Sequence, residues 1–241
     1  MNVKDYGRII DTDVISILLN TIKILKETDN FYQNNWFYYG TNPKNNIEKY
    51  ILDTFDNYFP NLDQKKICGF EWWVHDEETI ETVPLHFDCD EYKRVVDYEI
   101  ISPLASTITY LNDNLSPTII TNVQTVGGMG YEPKYPTEIV YSFPGEGKFV
   151  IFDSKYLHGV IKCKSKRLTL LYNIWEYKPK DLIEPDITEE IQMFNIHYNQ
   201  PRDLHYYIEK TNFIPQNLFG NSVFLKFPVN HINYETYLLK A

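Results

Sequence analysis

Between Lys66 and Tyr177 the chain is a succession of short runs rich in β-branched and aromatic residues, and this spacing constrains the fold more than any other feature. The runs are Gly69 to Val74, Val83 to Asp88, Ser106 to Leu111, Thr118 to Thr121, Thr137 to Phe143, Gly147 to Phe152, His158 to Ile161 and Arg167 to Trp175. Turn residues separate them, among them Asp76-Glu77-Glu78, Asp113-Asn114, Gly127-Gly128-Met129-Gly130 and Pro144-Gly145. Roughly eight short strands at such intervals are the pattern of a sandwich or jelly roll. The 20 Tyr, 14 Phe and 4 Trp suit that class, because a phenol packs its ring and keeps a hydrogen-bonding tip. No internal repeat is visible.

The ends read differently. Val14, Ile15, Leu18, Leu19, Ile22 and Leu25 recur at helical spacing after Thr12 or Asp13, either of which can cap, and predict a helix to about Glu27. A second pattern, Ile47, Tyr50, Ile51, Phe55 and Tyr58, follows Asn42-Pro43 and stops at Phe59-Pro60. Both helices are expected against one face of a sheet. Lys178-Pro179-Lys180-Asp181 reads as a boundary, and Asp186 to Asn195 as a short helix. The expected organisation is one compact domain: N-terminal helices over 1–65, a mainly β core over 66–177 and a C-terminal extension over 178–241.

Composition removes several function classes. A net charge of −10 disfavours holding a nucleic-acid backbone by counterion release, and is compatible with a basic substrate. Cys68, Cys89 and Cys163 are odd in number, dispersed and without a CxxC, so neither a disulfide framework nor a zinc cage is supported. The opening MNVKDYGRII has no signal-peptide pattern and no apolar run reaches membrane-spanning length, so a cytoplasmic location is expected.

Within the strand frame, His86, Phe87 and Asp88 form an HxD triplet; His158 lies 70 residues beyond Asp88, and Arg167 nine beyond His158. Side chains alternate along a strand, so His86 and Asp88 share one face. A distant His158 completes a 2-His-1-carboxylate set, which leaves adjacent positions open on a non-haem Fe(II) for a bidentate 2-oxo acid and then dioxygen. Arg167 opens the apolar run RLTLLYNIW, so its guanidinium enters an interior where a carboxylate partner is implied. Thr169, two residues on, can donate a second hydrogen bond to that carboxylate. The intervening GVIKCKSK is long enough for a hairpin that would set His158 and Arg167 on neighbouring strands.

The matching text, Pro84-Leu85-His86-Phe87-Asp88, Thr107-Ile108-Thr109-Tyr110-Leu111-Asn112, Gly147 to Asp153, His158-Gly159-Val160 and Arg167, resembles the double-stranded β-helix core of 2-oxoglutarate/Fe(II)-dependent dioxygenases, in particular the prolyl-4-hydroxylase-like branch. The resemblance covers about half the chain. It implies Fe(II) on His86, Asp88 and His158, 2-oxoglutarate held by Arg167, Thr169 and the Tyr110 hydroxyl, O2 as co-reactant, and succinate and CO2 as products. With a carboxylate at Asp88, hydroxylation is expected rather than halogenation. Two departures bear on substrate: only Thr118 remains of a Gly-Gly-x-Thr segment, and an insertion is implied around Asp90 to Ser102. The acceptor, a protein side chain such as proline or a small metabolite, is not encoded in any motif, and neither is the oligomeric state.

Bland readings compete at each position. A His in a β-rich region is commonly a satisfied polar residue, and an Asp nearby a surface acid. Asp90 and Glu91 with Asp88 form an oxygen-rich cluster that a hard cation could take, but that leaves His158 unexplained; solvated rim residues are the simpler expectation for Asp90, Glu91 and Lys93. His75, His197, His205 and His231 lack ligand spacing, and the Gly127–Gly130 segment reads as a mobile loop or lid. A cupin-type metal barrel without 2-oxoglutarate and a non-catalytic binding protein are the alternative functions.

Overall fold

The computed structural model describes residues 1–28, 33–77, 83–160, 166–202, 205–208 and 222–226. In chain order the elements are β1 (Val3–Arg8), α1 (Thr12–Lys26), β2 (Asn35–Tyr38), α2 (Asn46–Tyr58), β3 (Gly69–Glu77), β4 (Val83–His86), α3 (Glu91–Val96) and β5 (Ala105–Tyr110). They continue with β6 (Thr118–Gly127), β7 (Gly130–Glu132), β8 (Glu138–Ser142), β9 (Lys148–Phe152), β10 (Tyr156–Val160), β11 (Arg167–Trp175), β12 (His205–Ile208) and β13 (Ser222–Lys226).

The strands form two sheets, ordered β1-β9-β5-β11-β3-β2 and β12-β13-β8-β6-β10-β4, with β7 paired to β6. From β3 to β6 the chain changes sheet at every strand, and from β8 to β11 it does so again. That weave is the double-stranded β-helix, a jelly roll, and it matches the fold class expected from the strand spacing. His158 and Arg167 nevertheless do not sit on neighbouring strands of a hairpin: β10 belongs to the second sheet and β11 to the first. The turn expected between them falls on 161–165, outside the described residues.

Alternation along each strand of the first sheet divides its side chains between two cores. Phe70, Trp72, Val74, Phe149, Leu168, Leu170, Tyr172 and Ile174 face outward and pack with Val14, Leu18, Ile22, Leu25, Ile47, Ile51 and Phe55 of α1 and α2. Each such side chain removed from water contributes about 2 kcal/mol, so both helices are held by their apolar stripes. α2 is also capped: Asn45 Oδ1 accepts from Glu48 N at 3.0 Å, and Glu48 Oε2 accepts from Lys44 N at 2.7 Å. α1 starts behind Asp11, whose carboxylate takes a bond from His197 Nε2 instead of capping the helix.

The inward face of the first sheet meets the second sheet around Val3, Ile108, Tyr110, Ile120, Val140, Val150, Phe152 and Tyr156. This inner layer is where polar residues collect. The helix expected over Asp186–Asn195 is absent; the segment runs as an extended strap. Its backbone bonds elsewhere: Glu189 N donates to Lys44 O and Gln192 N to Asn46 Oδ1 in place of a helical ladder, and just beyond it His197 N donates to Ile9 O. The segment 90–102 contains α3, and Asp90 is buried as its N-cap rather than solvated, accepting from Lys93 N at 3.0 Å and Tyr177 Oη at 2.9 Å. Gly127 and Gly128, both with positive φ, turn the β6–β7 hairpin. No helix among the described residues is long and apolar enough to cross a membrane.

Candidate active site

β4 and β10 pair antiparallel with His86 directly opposite His158, which brings the two imidazoles to 4.4 Å between ring centroids. The strands approach this closely because Gly159 has no side chain: a Cβ there would stand 2.8 Å from Val83 O and 3.0 Å from Pro84 O. Asp88 lies just beyond β4, its Oδ1 3.7 Å from His86 Nε2 and 3.5 Å from His158 Nε2. One ligand atom from each residue lies within 4.8 Å of the others. Cis ligands on a metal with bonds of about 2.1 Å stand about 3 Å apart, so a small contraction would close the set on one ion.

The donors are also aimed. His86 Nδ1 bonds Pro84 O at 2.8 Å, and His158 Nδ1 bonds Tyr156 O at 2.9 Å. A carbonyl only accepts, so both Nδ1 atoms carry the proton and both Nε2 lone pairs are left for a cation, the arrangement metal-bound histidines use. The second Asp88 oxygen accepts from Ser106 Oγ at 2.6 Å, and Phe152 packs edge-on against His158. Burial works against the Asp88 charge, but His158, His86 and the Ser106 bond prevail and hold its pKa down at about 2. Burial likewise works against a charged His158, where Asp88 prevails and raises the pKa. Partial burial and the facing His158 lower that of His86.

Three further expected residues meet on the inner face of the first sheet, where Thr169 pairs with Tyr110 across β11 and β5. Arg167 is 1% exposed; its Nη2 donates to Thr118 Oγ1 at 2.8 Å and its Nη1 to Thr169 Oγ1 at 3.4 Å, while Nε has no partner. Tyr110 lies beneath the guanidinium, 5.5 Å from ring centroid to Cζ, and its hydroxyl donates to Thr118 Oγ1 at 2.9 Å, with Ser142 Oγ 3.0 Å away on its other side. A second buried cation, Lys148, lies 5.5 Å from the same ring, but Asp5 pairs with it at 3.2 Å. Among the described residues Arg167 has no carboxylate partner, so of the two cations it is the one with charge left for an anion.

Sequence reasoning did not select four of the residues gathered here. Ser106 was visible in principle, since it shares a strand face with Ile108 and Tyr110. Thr118 was noticed only as a remnant of a motif, and Lys148 as part of a strand. His75, which lacks ligand spacing in the sequence, pairs in register with Thr169 and faces inward, where burial, then Arg167 and His86, push its pKa down to about 4. Trp72 and Trp73 divide as alternation requires, Trp72 beneath the helices and Trp73 on the inner face. Burial raises the Cys89 thiol to about 12, which makes it a poor nucleophile.

No protein-family profile matches the chain, and no curated protein sequence does. Among solved structures it is similar to a viral collagen prolyl hydroxylase from Paramecium bursaria chlorella virus-1, with a TM-score of 0.46, 15% identity and coverage of 74% of this chain and 97% of that one. It is similar also to a prolyl-4-hydroxylase of Pseudomonas putida, with a TM-score of 0.43, 15% identity and coverage of 72% and 85%. A third, EctD from S. alaskensis with 2-oxoglutarate and 5-hydroxyectoine, gives 0.44, 13% identity and coverage of 83% and 81%. Function is therefore read from the side chains themselves.

Proposed function

We propose that the protein is an Fe(II)- and 2-oxoglutarate-dependent dioxygenase that hydroxylates its substrate, with His86, Asp88 and His158 as iron ligands and Arg167, Thr169 and Tyr110 as the cosubstrate anchor. The observation that carries this reading is the buried Arg167, with an orphan Nε and no counter-ion among the described residues, within the same barrel as an aimed His/Asp/His set. The donor set fits Fe(II): two neutral imidazoles and one ionised carboxylate leave open positions. The anchor fits a dicarboxylate, one end of which would chelate the metal while the other meets the guanidinium.

When bound, iron and 2-oxoglutarate supply the oxidation with O2: the 2-oxo acid loses CO2 and becomes succinate, taking one oxygen atom, and the other enters a substrate C–H bond. The chain's own residues do the rest. The carbonyls of Pro84 and Tyr156 fix the imidazole tautomers, and Ser106 keeps Asp88 ionised and oriented. Thr118 accepts from both Arg167 and Tyr110, so the anchor is assembled before any ligand arrives. Ile108, Ile120, Val140 and Phe152 keep the inner layer dry, which strengthens the charge pairing.

Anaerobic titration with Fe(II) and 2-oxoglutarate tests the reading. A visible metal-to-ligand charge-transfer band is expected with the native protein and not with His86→Ala. Absence of both the band and succinate release in the native protein would defeat the proposal, and metal uptake without 2-oxoglutarate binding would point to cupin-type chemistry instead. Peptides and metabolites that stimulate succinate release would identify the acceptor.

A further inference from the structure

The inner face of β11 is electrically polarised. Arg167 stands at its start, and at the other end Asn173 and Trp175 converge on Glu71 of β3. Glu71 accepts from Asn34 Nδ2 at 2.7 Å, Trp175 Nε1 at 2.9 Å and Asn173 Nδ2 at 3.3 Å. All three donors are neutral, and no Lys, Arg or His among the described residues pairs with this carboxylate. A carboxylate offers about four acceptor positions, so one remains. Asn173, 2% exposed, has in addition an Oδ1 with no partner. β11 thus carries an orphan donor at its Arg167 end and an orphan acceptor at its Asn173 end.

Register ties this second cluster to the metal ligands. Asn173 pairs with Glu71 on one side and with Ser106 on the other, and Ser106 holds Asp88. With strands about 4.8 Å apart, Glu71 lies about 10 Å from the Ser106 strand position, a span suited to a small substrate. Asn34 is exposed, which sets Glu71 at the mouth of the barrel and not at its sealed end. Trp73, next inward on the same face of β3, adds an aromatic surface on the path.

We propose that Glu71 and Asn173 Oδ1 form a substrate subsite for a protonated amine, an alkylammonium group whose N–H donors fill the two free acceptors while its carbon chain extends past Trp73 toward His86, Asp88 and His158. This rests on the oxygenase reading, because it places the ammonium far from the reacting C–H. The ionised Glu71 carboxylate disfavours an anion, and the net charge of −10 favours a cation's approach. Burial raises the Glu71 pKa to about 7, so an arriving cation favours the ionised form and releases a proton.

The test uses the full chain without metal or cosubstrate, with n-butylammonium as probe, n-butanol as its neutral counterpart, and tryptophan fluorescence as readout. Native protein should show a saturable change with n-butylammonium and none with n-butanol, and its affinity should rise from pH 6 to pH 8. Glu71→Gln keeps the side-chain shape and should weaken binding at least tenfold and abolish the pH dependence. Equal responses to amine and alcohol in the native protein, or equal amine affinity in native and a folded Glu71→Gln, would overturn the proposal. Because neither iron nor 2-oxoglutarate is present, failure here is separable from failure of the charge-transfer titration. In the iron-loaded enzyme, stronger stimulation of succinate release by L-lysine than by an N-acetylated lysine peptide assigns a free amine, and the reverse a protein side chain.

Discussion

Replacing Arg167 by Met should have two opposite consequences, and their combination is the sharpest check on the anchor. Without cosubstrate the guanidinium is costly to keep. It makes one good neutral bond, to Thr118 at 2.8 Å, and one long bond, to Thr169 at 3.4 Å, while Nε goes unpaired. Two bonds from a charged donor are worth about 1.5 to 3 kcal/mol each at best, less here for the long one, and an unsatisfied buried donor costs about 1 to 3 kcal/mol. Met fills a similar volume without a charge to desolvate, so the stability of the ligand-free protein should change by less than about 1 kcal/mol. With 2-oxoglutarate the balance reverses. Two charge-assisted bonds to a buried carboxylate are worth about 3 to 5 kcal/mol, and losing 3 kcal/mol weakens affinity by about two orders of magnitude. Denaturant melts with and without 2-oxoglutarate, alongside direct binding measurements, read both numbers. Native-like 2-oxoglutarate affinity in Arg167→Met, or a loss of several kcal/mol in the ligand-free variant, would refute the reasoning.

Other predictions follow from the same geometry. Gly159→Ala forces a Cβ against the Val83 and Pro84 carbonyls, so β4 must shift and Fe(II) affinity should fall about tenfold while the fold persists; unchanged affinity by competition titration would contradict the close-approach role. Metal must displace a proton from His158, whose pKa is raised, so affinity should decline as pH falls below neutrality, approaching tenfold per unit once that imidazole is protonated; a flat profile from pH 8 to 6 would count against His158 as a ligand. The depressed Asp88 pKa, about 2 against an ordinary 3.8, contributes stability above the unfolded value that is lost as pH falls through the folded one, about 2 kcal/mol in all. Ser106→Ala should remove about 1 kcal/mol near neutrality by taking one bond from the Asp88 carboxylate, and move acid unfolding slightly to higher pH, measured by urea melts across pH.

Sequence by itself determined the local terms. Alternation placed Arg167 with Thr169, the helical spacing of Val14 to Leu25 and Ile47 to Tyr58 gave α1 and α2, and turn residues marked the strands of the barrel. These follow from periods of 2 and 3.6 that each segment carries alone. The strand expected to carry both His86 and Asp88 instead ends at His86, so Asp88 reaches the site from the segment that follows. β1 carries no alternating apolar signal because its inner face holds Asp5, an acid neutralised by Lys148 from β9, and Asp186–Asn195 is no helix because its backbone N–H groups bond to Lys44 and Asn46 at the start of α2. Tertiary structure decided whatever depends on register between strands distant in the chain: His158 facing His86 within one sheet, Arg167 in the opposite sheet, Lys148 neutralised and Arg167 not, and Glu71 with Asn173 at the mouth. Such pairings are set by how loops carry the chain from sheet to sheet, and no periodicity in the residues themselves records that.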